Sequence, residues 1–247
     1  MSGIVRQIHD DIEILFSTTS DGSVAAGGGA PSKPEHRENV DRFLTTHDFE
    51  AERTRIFVTY RDGNTYTQVA RVTDENAGQD IACDALYTTQ TGSTITLPVA
   101  DCVATVVYDP VVGMLGVLHL GRHASVAGLI ESFVIEVADR LGSDPRDWHI
   151  WMSPSIRSDH DRLDYFNPPN IEHWRDYIST GSDGKIHIDT VGHNTSRFVR
   201  AGVRPERITV SPISTYDDRR FYSQRAYAET GDSSRLGRMM LAARIRQ

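Results

Sequence analysis

The sequence predicts an α+β fold built around one core. Two β-rich runs, Thr94–Tyr108 and Met114–Leu120, are separated only by DPVVG, and a helical pattern follows them at once. A second strand–helix–strand pattern lies between Ile186 and Ser211. Strands mix with single helices throughout, which favours one mixed core over a regular alternation of strand and helix. No Pro-rich or charged linker divides the 247 residues, so a single domain over residues 1–247 is expected.

Taken in order, Ile12 to Phe16 reads as a short strand. STTSDGSVAAGGGAPSKP follows, a Gly, Ser and Pro loop that lacks the lysine and the spacing of a phosphate-binding P-loop. Glu35 to Thr46 reads as a helix with a charged outer face. Arg55 to Tyr60 reads as a strand, Asp62-Gly63 as a hairpin-type turn, and Tyr66 to Val72 as the returning strand. Val126, Ile130, Phe133, Val134, Val137 and Leu141 form one apolar stripe of a helix that stops at Gly142. Ile186–Ile188, a helix from Thr190 to Ala201, and a strand from Ile208 to Ser211 follow.

Bulk composition narrows the function classes. With 38% hydrophobic and 24% charged residues the chain has the make-up of a soluble globular protein. A net charge of −8 argues against a general nucleic-acid surface, which needs clustered Lys and Arg. The first residues, MSGIVRQIHDDIEILFS, carry charges throughout and lack a signal-peptide apolar region. No later apolar run approaches the roughly 18 residues of a membrane span. Two cysteines, Cys83 and Cys102, cannot form a disulfide framework, and a cytoplasmic protein is expected.

The segment ADCVATVVYDPVVGMLGVLHLG holds the sharpest question, because Cys102 and His119 fall on its two β-rich runs. If Pro110 and Val111 are the central residues of a two-residue turn, antiparallel partners have numbers summing to 221, and Cys102 stands opposite His119. A two-residue shift keeps the pair diagonal on one face. A one-residue shift separates them onto opposite faces. Spacing alone leaves open a buried thiol with an unrelated imidazole. Asp101, taken as a strand residue pointing to the other face, is unusual in so apolar a run and needs a partner.

ACDALYTTQTG, TLPVADCVATVVYDP and GVLHLG resemble the YfiH-like family, also called the laccase-domain or polyphenol oxidase family. FSTTSDGSV, RENVDRF, MSPSI and ITVSPISTYDDRRFYSQR ending in GRM fall in the family's order, so the resemblance covers nearly the whole chain. It implies a sandwich of mixed β-sheets flanked by helices, and purine nucleoside phosphorylase activity on inosine or adenosine with some adenosine deamination. It also implies a zinc or copper ion at a purine pocket, zinc being the expected one. Cys102 and His119 match two of the family's metal ligands. The family's first histidine lies in Q-V-H-G; here TYRDG places Asp62 at that position, as a third ligand or as an ordinary turn residue. H-A-G-W-R-G becomes HLGRHA, with Arg122 for tryptophan and His123 for arginine. S-T-R becomes Ser17-Thr18-Thr19, and C-T becomes Ser214-Thr215.

On this reading Cys102, His119 and Asp62 form the catalytic and metal set. Phosphorolysis also needs an anion site, for which Arg61, Arg122 and Arg37 are the nearest candidates because a guanidinium fork matches phosphate. Asp84 and Asp101 complete the expected substrate pocket. The partners implied are a purine nucleoside and phosphate. Two alternatives stay open: a metal-free hydrolase or deamidase with Cys102 as nucleophile and His119 as base, and a non-catalytic binding protein that keeps the fold. SDHD at 158 to 161 reads as a solvated turn; His187 and Asp189 read as polar strand-end residues near His193, and all three are left outside the site.

Overall fold

The computed structural model describes residues 3–26, 33–49, 53–57 and 65–246. Among these, the strands are β1 (Ile4–Arg6), β2 (Ile12–Phe16), β3 (Arg53–Phe57), β4 (Val69–Arg71), β5 (Asp80–Ala82), β6 (Ala85–Thr88), β7 (Thr94–Val99), β8 (Val103–Asp109), β9 (Met114–Leu120), β10 (His149–Met152), β11 (Arg162–Leu163), β12 (Ile178–Thr180), β13 (Ile186–Ile188), β14 (Ile208–Val210) and β15 (Met239–Ile245). The helices are α1 (Pro34–Thr46), α2 (Arg122–Ala127), α3 (Leu129–Leu141), α4 (Thr190–Ala201) and α5 (Gln224–Thr230). One sheet runs β1-β2-β15-β7-β3-β5, a second β14-β10-β8-β9-β6-β4, and a small third β11-β13-β12. Parallel pairs (β3 with β7 and β5, β4 with β6, β10 with β14) stand among antiparallel ones, so both large sheets are mixed.

The layers follow from which side chains each strand sends to which face. Ile12, Ile14 and Phe16 on β2, Ile95 and Leu97 on β7, and Leu241 and Ala243 on β15 meet Ala104, Val106 and Tyr108 on β8 and Leu115 and Val117 on β9. The two large sheets therefore pack face to face. The opposite face of the second sheet, with Val103, Val107, Met114, Leu118 and Leu120, is covered by Ile130, Phe133 and Val137 of α3 and Phe198 of α4. The opposite face of the first sheet, with Leu15, Met240 and Ala242, is covered by Phe43 and Leu44 of α1. An α/β/β/α sandwich results. Every residue of β8 and β9 is buried, which explains why these strands read as continuous apolar runs.

Several expectations need correction. Thr94 to Tyr108 is two strands in two sheets: the chain breaks at Ala100–Cys102 and crosses between layers. Asp101 is therefore not a strand residue; it sits in the left-handed region at φ 66°. Pro110 and Val111 do not make a two-residue turn. Asp109 pairs with Met114, leaving four residues in the loop, closed by Gly113 at φ 63° and by the Val111 N–H donating to Asp109 Oδ1 at 2.9 Å. Ala104 therefore faces His119, and Cys102 lies one step diagonal on the same face. The shift is by two residues, so the parity of the pair survives it.

The strands expected at Arg55–Tyr60 and Tyr66–Val72 are not a hairpin, because β3 joins the first sheet and β4 the second, each through parallel neighbours. Asp62-Gly63 lies outside the described residues. The single helix expected across Val126 to Leu141 is two helices, α2 and α3, split at Gly128 whose φ of 86° cannot continue a right-handed helix. The stop at Gly142 holds, as do the strand Ile12–Phe16 and the helix Thr190–Ala201. Among the described residues no helix is long and apolar enough to cross a membrane.

His193 on α4 lies flat against Trp174, ring centroids 3.6 Å apart, and is 2% exposed. Burial lowers it to about 4, with Arg197 and His173 pushing the same way and Asn194 and Glu131 opposing. The folded state thus refuses a proton that the unfolded chain takes up below about pH 6.5. Stability is full above that pH and is lost as the pH falls from 6.5 towards 4. A His193→Gln variant is expected to flatten this dependence by about 2–3 kcal/mol between pH 7 and 4, read from urea titrations. An unchanged slope would contradict a neutral buried His193.

Candidate functional site

The two large sheets part at the end where β7 runs out, β8 begins and β9 ends. There a cleft of about 430 Å³ opens, a volume suited to a small organic ligand. Ile56, Pro98, Val99, Val103 and Leu120 give it an apolar floor, and α2, α4, α5 and the Arg238 strand entry give it a polar rim.

Cys102 and His119 both line this cleft because 102, 104, 117 and 119 share the face of the second sheet that looks towards the first. Gly121 lets them approach: a Cβ built there would stand 2.9 Å from Cys102 Sγ, 3.4 Å from His119 Cε1 and 3.5 Å from His119 Nε2. The sulfur and the ring nitrogen converge on the space that a side chain would have filled. Gly121 is needed for this close approach and not for an unusual backbone angle, its φ being −76°.

Electrostatics set the state of both groups. Burial pushes the Cys102 thiol up to about 12, Asp101 and Asp161 adding to the effect and Arg238 and Arg122 opposing it. Burial lowers His119 to about 4, helped by Arg238 and His123. At neutral pH the pair is therefore a thiol and a neutral imidazole with a free lone pair. A thiolate–imidazolium pair, as a cysteine nucleophile needs, is disfavoured from both sides. One sulfur and one imidazole are zinc-type donors, and the cradle above Gly121 fits an ion between them. Among the described residues no cluster of three or more His, Cys, Asp or Glu is placed to hold a metal. The third expected donor, Asp62, lies outside the described residues, as does Arg61.

The remaining expected residues separate. Asp101 lines the cleft, but its carboxylate faces the protein: Thr215 Oγ1 donates to Oδ1 at 2.7 Å and the Arg225 backbone N–H to Oδ2 at 2.8 Å. Its own carbonyl accepts the Ile156 N–H at 2.9 Å. Arg122 lines the cleft and donates to Asp161 Oδ1 at 2.9 Å. Asp84 stands behind the site: its carbonyl accepts the His119 N–H at 2.9 Å, and Oδ2 accepts the Gln68 N–H at 3.1 Å. Burial raises its carboxyl above the usual range, and the backbone bond from Gln68 opposes this. Arg37 is exposed on α1 and does not line the cleft.

Sequence reading missed other residues at the site. Asp161, assigned to a solvated turn, is buried at the cleft, accepting from Arg122 and from Thr190 Oγ1 at 2.9 Å. Arg225 and Arg238 line the same cleft, as do Tyr66 and His123, whose rings stack at 5.1 Å. Both arginines belong to the YSQR and GRM segments quoted above, which was the available signal. His187 pairs with Asp183, and Asp189 caps α4 by accepting the Gly192 N–H at 2.8 Å. His193 is core. All three stay outside the site.

The model of a family described as multi-copper polyphenol oxidoreductase laccase matches residues 30–246. A purine nucleoside phosphorylase, YlmD, of Bacillus subtilis is 25% identical over 89% of this chain and 86% of its own. A protein named adenosine deaminase RL5, from an unknown prokaryote, is 30% identical over 62% of this chain and 60% of its own. The crystal structure of YlmD from Geobacillus stearothermophilus superposes with a TM-score of 0.79 at 20% identity, covering all of this chain and 97% of that one, a likeness of fold.

A Gly121→Ala change places a methyl 2.9 Å from the Cys102 sulfur, and the sulfur must move. The expected outcome is zinc affinity reduced about tenfold or more, by equilibrium dialysis, in a protein that still folds at a cost of about 1–3 kcal/mol. Zinc affinity equal to that of the unaltered protein would show that Cys102 and His119 do not share a metal.

Proposed function

The chain belongs to the multi-copper polyphenol oxidoreductase laccase family, and from that premise we propose that it is a purine nucleoside phosphorylase working in the Cys102–His119 cleft. The observation that carries this reading is the convergence of the Cys102 sulfur and the His119 Nε2 above Gly121, at the end of a cleft with an apolar floor and an arginine rim. The phosphorylase name of the Bacillus subtilis relative supports the substrate class.

Phosphorolysis breaks the bond from the sugar C1′ to the purine nitrogen and forms one from C1′ to a phosphate oxygen. The electron pair of the broken bond leaves with the purine, which takes up the proton that the attacking phosphate hydroxyl gives up; the products are free base and sugar 1-phosphate. The apolar floor of Ile56, Pro98, Val99 and Leu120 receives the flat base and excludes water from it. Arg122, Arg225 and Arg238, facing two carboxylates, give the rim an excess of positive charge that attracts phosphate. Cys102 and His119 would hold a zinc ion, with Asp62 proposed as the third ligand. When bound, zinc supplies Lewis-acid polarisation of the purine and, as the deaminase name of the RL5 relative suggests, a route to adenosine deamination.

The metal-free cysteine nucleophile has less support, since both members of the pair are held in the wrong protonation state for it. Metal analysis of the purified protein, with phosphate-dependent release of base from inosine and adenosine, tests the proposal. Bound zinc and phosphate-dependent base release are expected. Cys102→Ala is expected to abolish stoichiometric zinc and to lower base release about a hundredfold or more, since it removes a ligand and not a supporting contact. Absence of metal, together with no base released when zinc is supplied, would refute the phosphorylase.

A further inference from the structure

Three arginines line the cleft, and their partners differ. Arg122 donates to Asp161 at 2.9 Å. Arg225 donates to the Arg162 carbonyl at 2.8 Å and stands 3.9 Å from both Asp161 and Glu229. Arg238 meets only neutral acceptors among the described residues: its own neighbour's carbonyl, Gly237 O, at 2.7 Å and Gln224 Oε1 at 3.4 Å. The two carboxylates of the cleft are spent elsewhere, Asp101 on Thr215 and the Arg225 N–H, Asp161 on Arg122 and Thr190. Arg238 is half-buried, and its charge is felt at Cys102 and at His119. A guanidinium held in a cleft without a counter-ion, beside the proposed reacting pair, lacks one component.

We infer that Arg238, on the cleft lining beside Gln224, is the receptor for inorganic phosphate, and that Arg122 is not. The inference rests on the phosphorylase reading and names its phosphate-binding residue. Pairing explains the choice: a guanidinium already paired with a carboxylate must give up that bond to take phosphate, whereas one on neutral acceptors gains a charge-assisted pair.

Calorimetric titration of inorganic phosphate into the full chain tests this. Wild-type protein is expected to bind it, Arg238→Gln to bind about tenfold or more weakly, and Arg238→Lys to fall between, because the ammonium keeps the charge and loses the fork. Arg140→Gln, on the exposed side of α3, controls for general charge and should bind as wild type. In turnover assays KM for phosphate should rise in Arg238→Gln while KM for the nucleoside holds. Wild-type protein that binds no phosphate, or Arg238→Gln that binds it unchanged, overturns the inference. So does an equal loss in Arg140→Gln. If glutamine at 238 prevents folding, unchanged phosphate binding by Arg238→Lys overturns it and weakened binding supports it. A nucleoside 5′-monophosphate that binds through Arg238 more tightly than phosphate overturns inorganic phosphate as the ligand. Arg238-dependent phosphate binding in a protein that releases no base leaves this inference standing and removes the phosphorylase.

Discussion

The cleft depends on one backbone turn, Ala100–Asp101–Cys102, where the chain leaves the first sheet and enters the second. Asp101 is held at φ 66°, a conformation that costs a non-glycine residue roughly 1–2 kcal/mol. Its carboxylate accepts from Thr215 and from the Arg225 N–H, and bonds to a charged group contribute roughly 1.5–3 kcal/mol each. The Ile156 N–H adds a third tie through the Asp101 carbonyl. These contributions exceed the strain, so the turn is stable as built. Glycine at 101 would relieve the strain and lose both carboxylate bonds, a net loss. The same bonds fix the start of α5 and the 214–215 segment against the turn, so one residue places Cys102 and also one wall of the cleft.

Protonation gives the site its chemical character. A buried thiol and a buried neutral imidazole are inert towards each other, yet they are the protonation states from which a metal assembles a site: the imidazole lone pair is free, and a cation deprotonates the thiol on binding. Cys83, the other free cysteine, shows the contrast. It is buried in the inter-sheet core and its thiol is likewise pushed up to about 12, by burial and by Asp84. What sets Cys102 apart is the cradle above Gly121, where its sulfur and the His119 ring nitrogen approach one point.

The sequence made legible what local pattern controls. Ile12–Phe16, Met114–Leu120, the stop at Gly142 and Thr190–Ala201 are set by apolar period and capping, and the structure has them. Which strand joins which sheet was not legible, because β3 and β4 find their partners through parallel neighbours distant in sequence. The Asp109–Met114 loop shows how a wrong turn can leave a right conclusion: its four residues moved the register by two, and period-two alternation kept Cys102 and His119 on one face. Asp161 was unreadable for a different reason. In SDHD it looks like a solvated residue, and only the fold shows Arg122 and Thr190 arriving from other elements to bury it.

Arg122 and Asp161 are best understood together. An arginine entering an apolar cleft must bring or find a counter-charge, since an unpaired buried charge costs several kcal/mol. Asp161 meets that need with its side chain 8% exposed, and Thr190 satisfies its second oxygen. Such a pair adds little net stability, because desolvation offsets most of its attraction, but it fixes geometry. It holds the α2 start to the Asp161 loop across the cleft mouth, and it removes Arg122 from competition for anions. The cleft arginine left without a carboxylate partner among the described residues is then Arg238, whose charge is felt at both Cys102 and His119. Without the Asp161 partner the positive charge would spread along the rim; with it, Arg238 alone of the three cleft arginines meets only neutral acceptors among the described residues.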